Sequence, residues 1–216
     1  MNAGELLEAF RSDQADNVEP FLWSDDDFFR YADDAQNQFC QLTDGISDAS
    51  TAAAQLAIVA GTEWYDTHPS LMKIRTATRR DTGRKVAMVN PETMDANGVR
   101  FQGRSGPLSA LVVGLEDDRV RAYPIPAESV VVELAVLRMP LVSITAETSV
   151  IEVPAHHHVH LLHWVKSRAY LKQDAETFDK SRSNEFETRF YAYCAQVKAQ
   201  QSRARRVTGA VVYGGL

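Results

Sequence analysis

Residues 154–179 read PAHHHVHLLHWVKSRAYLKQDAETFD, and this stretch decides how the rest of the chain is interpreted. It contains five of the six histidines of the protein. Apolar residues recur every three or four positions after Pro154, which predicts a helix with one buried face. His158 shares that face with Leu162 and Ala169, so we expect a hydrogen-bonded histidine in a core or an interface.

Three other histidines of this stretch raise the alternative of a metal site. His156, His160 and His163 follow one another at steps of four and three, which places them on one face of a helix. An exposed helix face shows the same steps, and no acidic residue lies between Ala155 and Gln173 to act as ligand or base. A metal-binding module or metal-dependent enzyme stays open as the alternative, although we expect no metal and no other cofactor.

Two helices are predicted before residue 50. The first covers roughly the first dozen residues, where Asn2 and Glu5 have the spacing of a capping box. The second begins after Ser24, and three consecutive aspartates fill its first turn, where the helix dipole favours anions. Its buried face is predicted from residues at steps of three or four: Phe28, Tyr31, Ala35, Phe39 and Leu42.

The hydrophobic period changes to alternation between residues 53 and 139, which predicts a mostly antiparallel β region. Strands are predicted at residues 55–60, 70–79, 84–89, 109–115, 119–124 and 129–139. Turn-forming residues at 81–83 and 117–118 predict two hairpins. Asn90 predicts the start of a short helix over residues 91–97.

A last helix is predicted at residues 181–201, and a basic and then apolar tail, SRARRVTGAVVYGGL, follows at residues 202–216. The buried face of the helix is predicted to hold Phe186, Phe190, Cys194 and Val197. The tail has two interpretations. Its arginines suit a helix terminus, which favours cations, or the base of a docking arm whose β-prone residues add to a partner's sheet or fill a groove. The arm residues are Arg203, Arg205, Arg206, Val211, Val212 and Tyr213.

This order of elements predicts an α+β fold. We expect the N- and C-terminal helices to form one helical bundle, with the mostly antiparallel β region inserted between them and an extended C-terminal arm. The expected domains are the N-terminal helices at residues 1–50, the β domain at 51–150, the C-terminal helices at 151–202 and the docking arm at 203–216.

Composition and charge exclude several functions. A net charge of -6 and a pI near 5.5 argue against a protein that grips nucleic-acid backbones, although DNA can slide past an acidic surface. No segment is long and apolar enough for a membrane span, so we expect no membrane contact. Glycine motifs for phosphates are absent from the sequence, and GRSGP at residues 103–107 has proline where a nucleophile elbow requires glycine. We therefore expect that the protein is not an enzyme.

Four motifs in a fixed order resemble the head-to-tail adaptor, or neck, proteins of tailed bacteriophages. They are LWSDDD at residues 22–27, VRAYPIP at residues 120–126, PAHHHVHLLHWVKSRAY at residues 154–170 and DAETFD at residues 174–179. The resemblance covers most of the chain and is weakest at residues 81–106. Its motifs are structural rather than catalytic, so its specificity comes from their joint order.

The resemblance implies a virion protein that is made in the host cytoplasm and lies in the neck between capsid and tail. It implies a dodecameric ring of identical subunits that continues the DNA channel without binding DNA specifically. The implied partners are the portal protein, reached by the arm, and a tail or nozzle protein. Subunit or bundle interfaces are expected at Trp23, Phe28, Tyr31, His158, Trp164 and Tyr170. An oligomeric α+β interaction domain outside any virus is the third hypothesis.

Overall fold

The computed structural model describes residues 1–96, 103–174 and 176–205. Helices lie towards both ends of the chain and a mostly antiparallel sheet lies between them, which confirms the α+β prediction. The chain splits into a helical unit, Met1–Asp44 with Val142–Leu216, and a β unit, Gly45–Leu141.

The described residues contain five α-helices, and the sequence predicted each of them. They are α1 (Ala3–Gln14), α2 (Asp25–Leu42), α3 (Pro91–Ala96), α4 (His158–Tyr170) and α5 (Lys180–Arg205). In the helical unit, α4 packs against α1, α2 and α5. Helix α5 extends beyond its predicted end at residue 201, so Arg203 and Arg205 lie in the helix and not after it. None of the helices in the described part of the chain has the length and apolar character needed to cross a membrane.

Local hydrogen bonds explain where the first two helices begin. Asn2 Oδ1 accepts from Glu5 N at 2.8 Å, and Glu5 Oε2 accepts from Asn2 N at 3.1 Å, which completes the predicted capping box. Ser24 Oγ accepts from Asp27 N at 3.2 Å and caps α2 as predicted. These bonds satisfy main-chain N–H groups that have no partner inside a helix.

Replacing this cap tests its contribution to α2. We expect Ser24→Ala to lower the free energy of unfolding by about 1 kcal/mol, because the cap bond to the main chain is lost while the aspartates remain. Thermal or urea unfolding measures the change. Ser202→Ala, at an exposed position inside α5, is the control and should shift stability by less than about 0.5 kcal/mol. Equal effects of the two substitutions would contradict the capping role.

The β unit holds ten strands among its described residues. They are β1 (Ile46–Asp48), β2 (Gln55–Ile58), β3 (Trp64–Asp66), β4 (Leu71–Arg79), β5 (Lys85–Val89), β6 (Ser105–Gly106), β7 (Ala110–Glu116), β8 (Arg119–Tyr123), β9 (Ile125–Pro126) and β10 (Val130–Arg138). The order in the main sheet is β1-β10-β4-β5-β7-β8-β3, and β2 also pairs with β10. Strands β6 and β9 form a separate parallel pair. All six predicted strands are present, and β1, β3, β6 and β9 were missed.

Strand β10 organises the core of the β unit. Its residues Val132, Leu134 and Val136 are buried, as the alternation predicts. They pack in one cluster with Leu56, Ile58 and Leu111 from other strands. At the end of β10, Arg138 is 5% exposed, and its Nε donates to Asp48 Oδ2 at 2.6 Å. An ion pair therefore joins β10 to β1 in the interior.

Strand β5 changes neighbours along its length. It pairs antiparallel with β4 at two positions only, Ala77 with Val86 and Thr78 with Lys85. Its remaining residues, from Ala87 to Val89, pair in parallel with β7. The chain then turns into α3. As a result β4 and β7 diverge beyond the end of β5, and a cleft of about 650 Å³ opens between them.

Candidate functional site

The histidine-rich segment begins with a 3-10 turn and then becomes α-helical. Ala155–His157 form the turn, in which His157 N donates to Pro154 O at 2.9 Å. A 3-10 turn has three residues per turn, so side chains before His158 do not keep the α-helical phase assumed for the sequence. His157, to which no role was predicted, is therefore directed into the interior and is 7% exposed.

His157 contacts two other helices of its unit. Its Nδ1 lies 2.7 Å from the Tyr193 hydroxyl of α5, and its ring centroid lies 4.8 Å from that of Phe39 in α2. The ring also lies 3.9 Å from that of His156. Burial, together with the neighbouring His156, His160 and His158, lowers the pKa of His157 from 6.5 to about 4. The imidazole is thus neutral at pH 7 and joins α2, α4 and α5.

His158 behaves as predicted from the sequence. It is 3% exposed, and its Nε2 lies 2.6 Å from Val153 O, so Nε2 carries the proton and donates it to the carbonyl. Burial lowers the pKa of His158, and the hydrogen bond to Val153 only partly opposes this effect. His158 therefore fixes the segment that precedes α4 to the helix itself.

The three histidines of the metal hypothesis contact different neighbours, although the rings of His160 and His163 lie 5.9 Å apart between centroids. His156 is exposed, His160 stacks on Tyr193 at 3.6 Å between centroids, and His163 lies parallel to Phe186 at 6.3 Å. Burial lowers the pKa of His160 and of His163. Across the described ranges, no three His, Cys, Asp or Glu side chains form a group that could hold a metal ion. His160 and His163 are instead packed against aromatic rings of α5.

Two tryptophans connect the N-terminal and C-terminal helices. Trp23 is 4% exposed, and its Nε1 donates to Ala169 O at 3.0 Å. Its ring packs edge-on against Tyr170 at 5.7 Å. Trp164 is 3% exposed and donates through Nε1 to Asp34 Oδ2 at 2.6 Å. Each indole therefore places an apolar ring in the core and satisfies its N–H at a neighbouring helix.

The other predicted interface residues divide between interior and surface. Phe28 is 1% exposed and lies 5.3 Å from Phe10 between ring centroids. Tyr170 is 8% exposed, and its hydroxyl donates to Gln14 Oε1 at 2.5 Å. Tyr31 is only half-buried. The structure thus places five of the six residues inside the helical unit of a single chain and leaves Tyr31 partly at the surface.

The predicted docking arm is mostly outside the described residues. Arg203 is exposed in the last turns of α5, and Arg205 is the last residue of that helix. Arg206, Val211, Val212 and Tyr213 lie outside the residues that the structure describes.

One ion pair of the helical unit, between a buried lysine and an exposed aspartate, was missed from the sequence. Lys166 in α4 is 8% exposed and donates through Nζ to Asp13 Oδ2 at 2.6 Å. The spacing contained a signal for this burial, because Lys166 follows the apolar Leu162 by four residues on the same helix face. A charged residue was expected at the surface, and the carboxylate of α1 is what permits its burial.

Comparison with known protein families shows a match over nearly the whole chain. The family model described as SU10 adaptor protein matches residues 1–213. The matched range includes both units and extends past α5 into the predicted arm. Among curated proteins, none matches the chain.

Proposed function

Because the chain belongs to the SU10 adaptor protein family, we propose that it is the head-to-tail adaptor in the neck of a tailed bacteriophage. In this role it is a structural virion protein and not an enzyme. Identical subunits form a dodecameric ring below the portal, continue the DNA channel and present a lower face to the tail or nozzle protein. The chain is made in the host cytoplasm and is incorporated during assembly.

The observation that carries this proposal is the family match over residues 1–213. A match limited to one unit would leave the other free for a separate activity. The match here includes the helical unit, the β unit and the segment after α5. In the histidine-rich segment, which suggested a metal enzyme, His157 and His158 make hydrogen-bond contacts within the helical unit, which supports a structural role for that segment.

The charge distribution is compatible with a DNA channel. The β unit contains as many basic as acidic residues, so the net charge of -6 belongs to the helical unit. Acidic surfaces repel the phosphate backbone and allow DNA to pass without being retained. We therefore expect no salt-dependent binding of duplex DNA to the isolated protein.

Subunit contacts in the ring are proposed on the exposed apolar residues of the helical unit. Val159 in α4 is 58% exposed, Tyr191 in α5 is 42% exposed and Phe178 between these helices is 52% exposed. Repeated head-to-tail contacts in a closed ring require two different faces that fit each other. Of the six predicted interface residues, Tyr31 is partly exposed and can contact a neighbouring subunit. Trp23 and the other four are buried and stabilise the helical unit.

We assign portal docking to the C-terminal arm. The arm begins with basic residues at the end of α5 and continues with the β-prone residues Val211, Val212 and Tyr213. A short segment of this kind gains little by packing alone and gains main-chain hydrogen bonds by joining a partner.

Deleting residues 206–216, which leaves α5 complete, tests the arm. We expect the deletion to reduce co-sedimentation with assembled portal by roughly tenfold or more, because main-chain pairing and apolar contacts are lost together. A second variant replaces Val211, Val212 and Tyr213 with serine and keeps the length and the arginines. It should reproduce most of the loss of portal binding if these three residues carry the docking. Unchanged portal binding after the deletion would show that the arm does not dock there.

A further inference from the structure

The cleft between β4 and β7 has the form of a missing strand. Strand β5 pairs with β4 only at Ala77 and Thr78 and ends at Val89, opposite Val112 of β7. Strand β4 starts at Leu71, and β7 continues to Glu116, so both run on past the point where β5 leaves them. Among the described strands, none fills this space. We call it the β4–β7 slot.

The walls of the slot offer main-chain groups and apolar side chains. On the side that faces the slot, residues 72–74 of β4 have no strand partner among the described elements, although β10 pairs with their other edge. Leu71, Ile74 and Val113 are only half-buried along the walls, and Met72 is 40% exposed. Main-chain edges beside an apolar lining are what an added strand recognises.

Strand β7 bends at the slot. Its pairing with β8 shifts between Val112 and Glu116, and Gly114 in this interval has a φ of +83°. Such a bulge turns the strand and leaves residues unpaired in the ladder. Leu115, in the same interval, is 37% exposed. Residues 113–115 of β7, which border the slot, therefore have no regular ladder pairing with β8.

The mouth of the slot is acidic. Asp117 and Asp118 form the β7–β8 turn at this end and are exposed, while Glu116, the last residue of β7, is paired with Arg119. Lys73 lies on the opposite wall and Arg119 also lines the slot, so the acidic character is confined to Asp117 and Asp118. A segment that enters here fits best when basic residues precede its β-prone part.

The C-terminal segment of this chain has that composition. Residues 203–216 read RARRVTGAVVYGGL, with arginines first and an uncharged, β-branched run after them. We propose that, before the portal is engaged, the β4–β7 slot of one copy binds the C-terminal segment of a second copy as an added strand. Val211, Val212 and Tyr213 then occupy the slot, and the arginines lie beside the acidic mouth.

The direction and the length of the segment suit this placement. A segment that passes the mouth and continues towards Val89 runs antiparallel to β7. The four residues of β7 from Val113 to Glu116 span about 13 Å at the rise of a strand, which suits Val211–Tyr213 with one flanking glycine or alanine. Eleven residues follow Arg205, so a segment of about 36 Å can extend from the helix.

Covering the segment in this way protects the free protein. An exposed β-prone edge or segment invites unspecific pairing with other chains. Slot and portal then compete for the same residues, so the segment stays covered until the portal is reached. The contact joins the slot of one copy to the C-terminal segment of another, which are two different surfaces. Contacts of this kind generate rings or open chains of subunits.

A mixing experiment without portal tests the proposal. The first chain lacks residues 206–216 and keeps its slot. The second keeps the segment and carries Met72→Lys with Asp117→Lys, at two exposed positions that line the slot and its mouth. In sedimentation velocity we expect each chain alone to be monomeric and the equimolar mixture to form a heterodimer, while the unmodified chain associates with increasing concentration. A mixture that stays monomeric, or a shortened chain that associates like the unmodified one, would overturn the proposal.

A labelled peptide of residues 203–216 provides the second readout. We expect saturable binding to the shortened chain and roughly tenfold weaker binding when that chain carries Met72→Lys with Asp117→Lys. The control, Val59→Lys with Glu92→Lys, adds the same charge at exposed positions of the β unit outside the slot and should bind like the parent. Equal weakening by both pairs would reveal a general charge effect and contradict the assignment. Because no portal is present, these results are independent of portal docking.

Discussion

Asp48→Asn is expected to lower the free energy of unfolding of the β unit by about 3 kcal/mol. The carboxylate side chain of Asp48 is 4% exposed and that of Arg138 is 7% exposed, with Nε and Oδ2 at 2.6 Å. The substitution keeps the shape of the side chain but removes its charge. The buried guanidinium of Arg138 then loses the charge of Asp48, which costs far more than the loss of an exposed pair.

The surroundings of Asp48 show how strongly the folded protein favours the carboxylate. Burial alone raises the pKa of Asp48, but hydrogen bonds from Ser50, Thr51 and Arg138 outweigh it and hold that pKa well below its usual range. Two of these donors are the main-chain N–H groups of Ser50 and Thr51, at 2.9 and 3.2 Å from Oδ1. Asp48 therefore fixes the turn after β1 as well as the end of β10.

The matched control lies on β10, the strand that also carries Arg138. Glu133 of β10 pairs with Arg80, the residue that follows β4, and both side chains are 48% exposed. We expect Glu133→Gln to change stability by less than about 1 kcal/mol in the same urea titration. If both substitutions cost the same, burial does not govern the contribution of these pairs.

Mild acid is expected to loosen the helical unit before most carboxylates titrate. The pKa of His157 is 6.5 in the absence of the fold and about 4 in the folded protein. As pH falls below 6.5, His157 becomes protonated in the unfolded chain but stays neutral in the folded chain. Stability is therefore complete at neutral pH and is lost between about pH 6.5 and 4, by about 3 kcal/mol from His157 alone.

The groups around His157 determine the size of this effect. They are His156 and His160 from its own segment, Phe39 from α2 and Tyr193 from α5. When Nδ1 of His157 is protonated, it can only donate a hydrogen bond to the Tyr193 oxygen and can no longer accept one from the hydroxyl. Burial also lowers the pKa of His158, His160 and His163, so these rings add to the loss in the same direction.

Urea unfolding at intervals between pH 7.5 and 4 measures this dependence. His157→Gln removes the titrating group and should flatten the slope between about pH 6.5 and 4. His68→Gln, at the exposed histidine of the β unit, is the control and should leave the slope unchanged. A slope that is the same in all three proteins would show that His157 is not the sensitive group.

Features governed by nearby residues were predictable from the sequence. Asn2 and Ser24 bond main-chain groups three residues away, so the starts of α1 and α2 follow from local spacing. The long alternation in β10 likewise identified its buried face. Strands β1 and β3 have only three residues each, too few for a period to be recognised.

Features that depend on distant residues were not predictable. The parallel pairing of β5 with β7 and the resulting slot follow from the sheet register, which no local pattern specifies. Asp48 and Arg138 are 90 residues apart in sequence, so their pairing is visible only in the fold. In the candidate site, His158 was assigned correctly from its helical phase. His157 was missed because the 3-10 turn before α4 changes that phase.

Imaging the purified protein together with its portal tests the central claim most directly. The account predicts a closed dodecameric ring that shares the axis of the portal, lies below it and leaves an open central channel. Adaptor molecules that remain separate from a well-formed portal, or that bind it singly without a ring, would contradict the assignment as a head-to-tail adaptor.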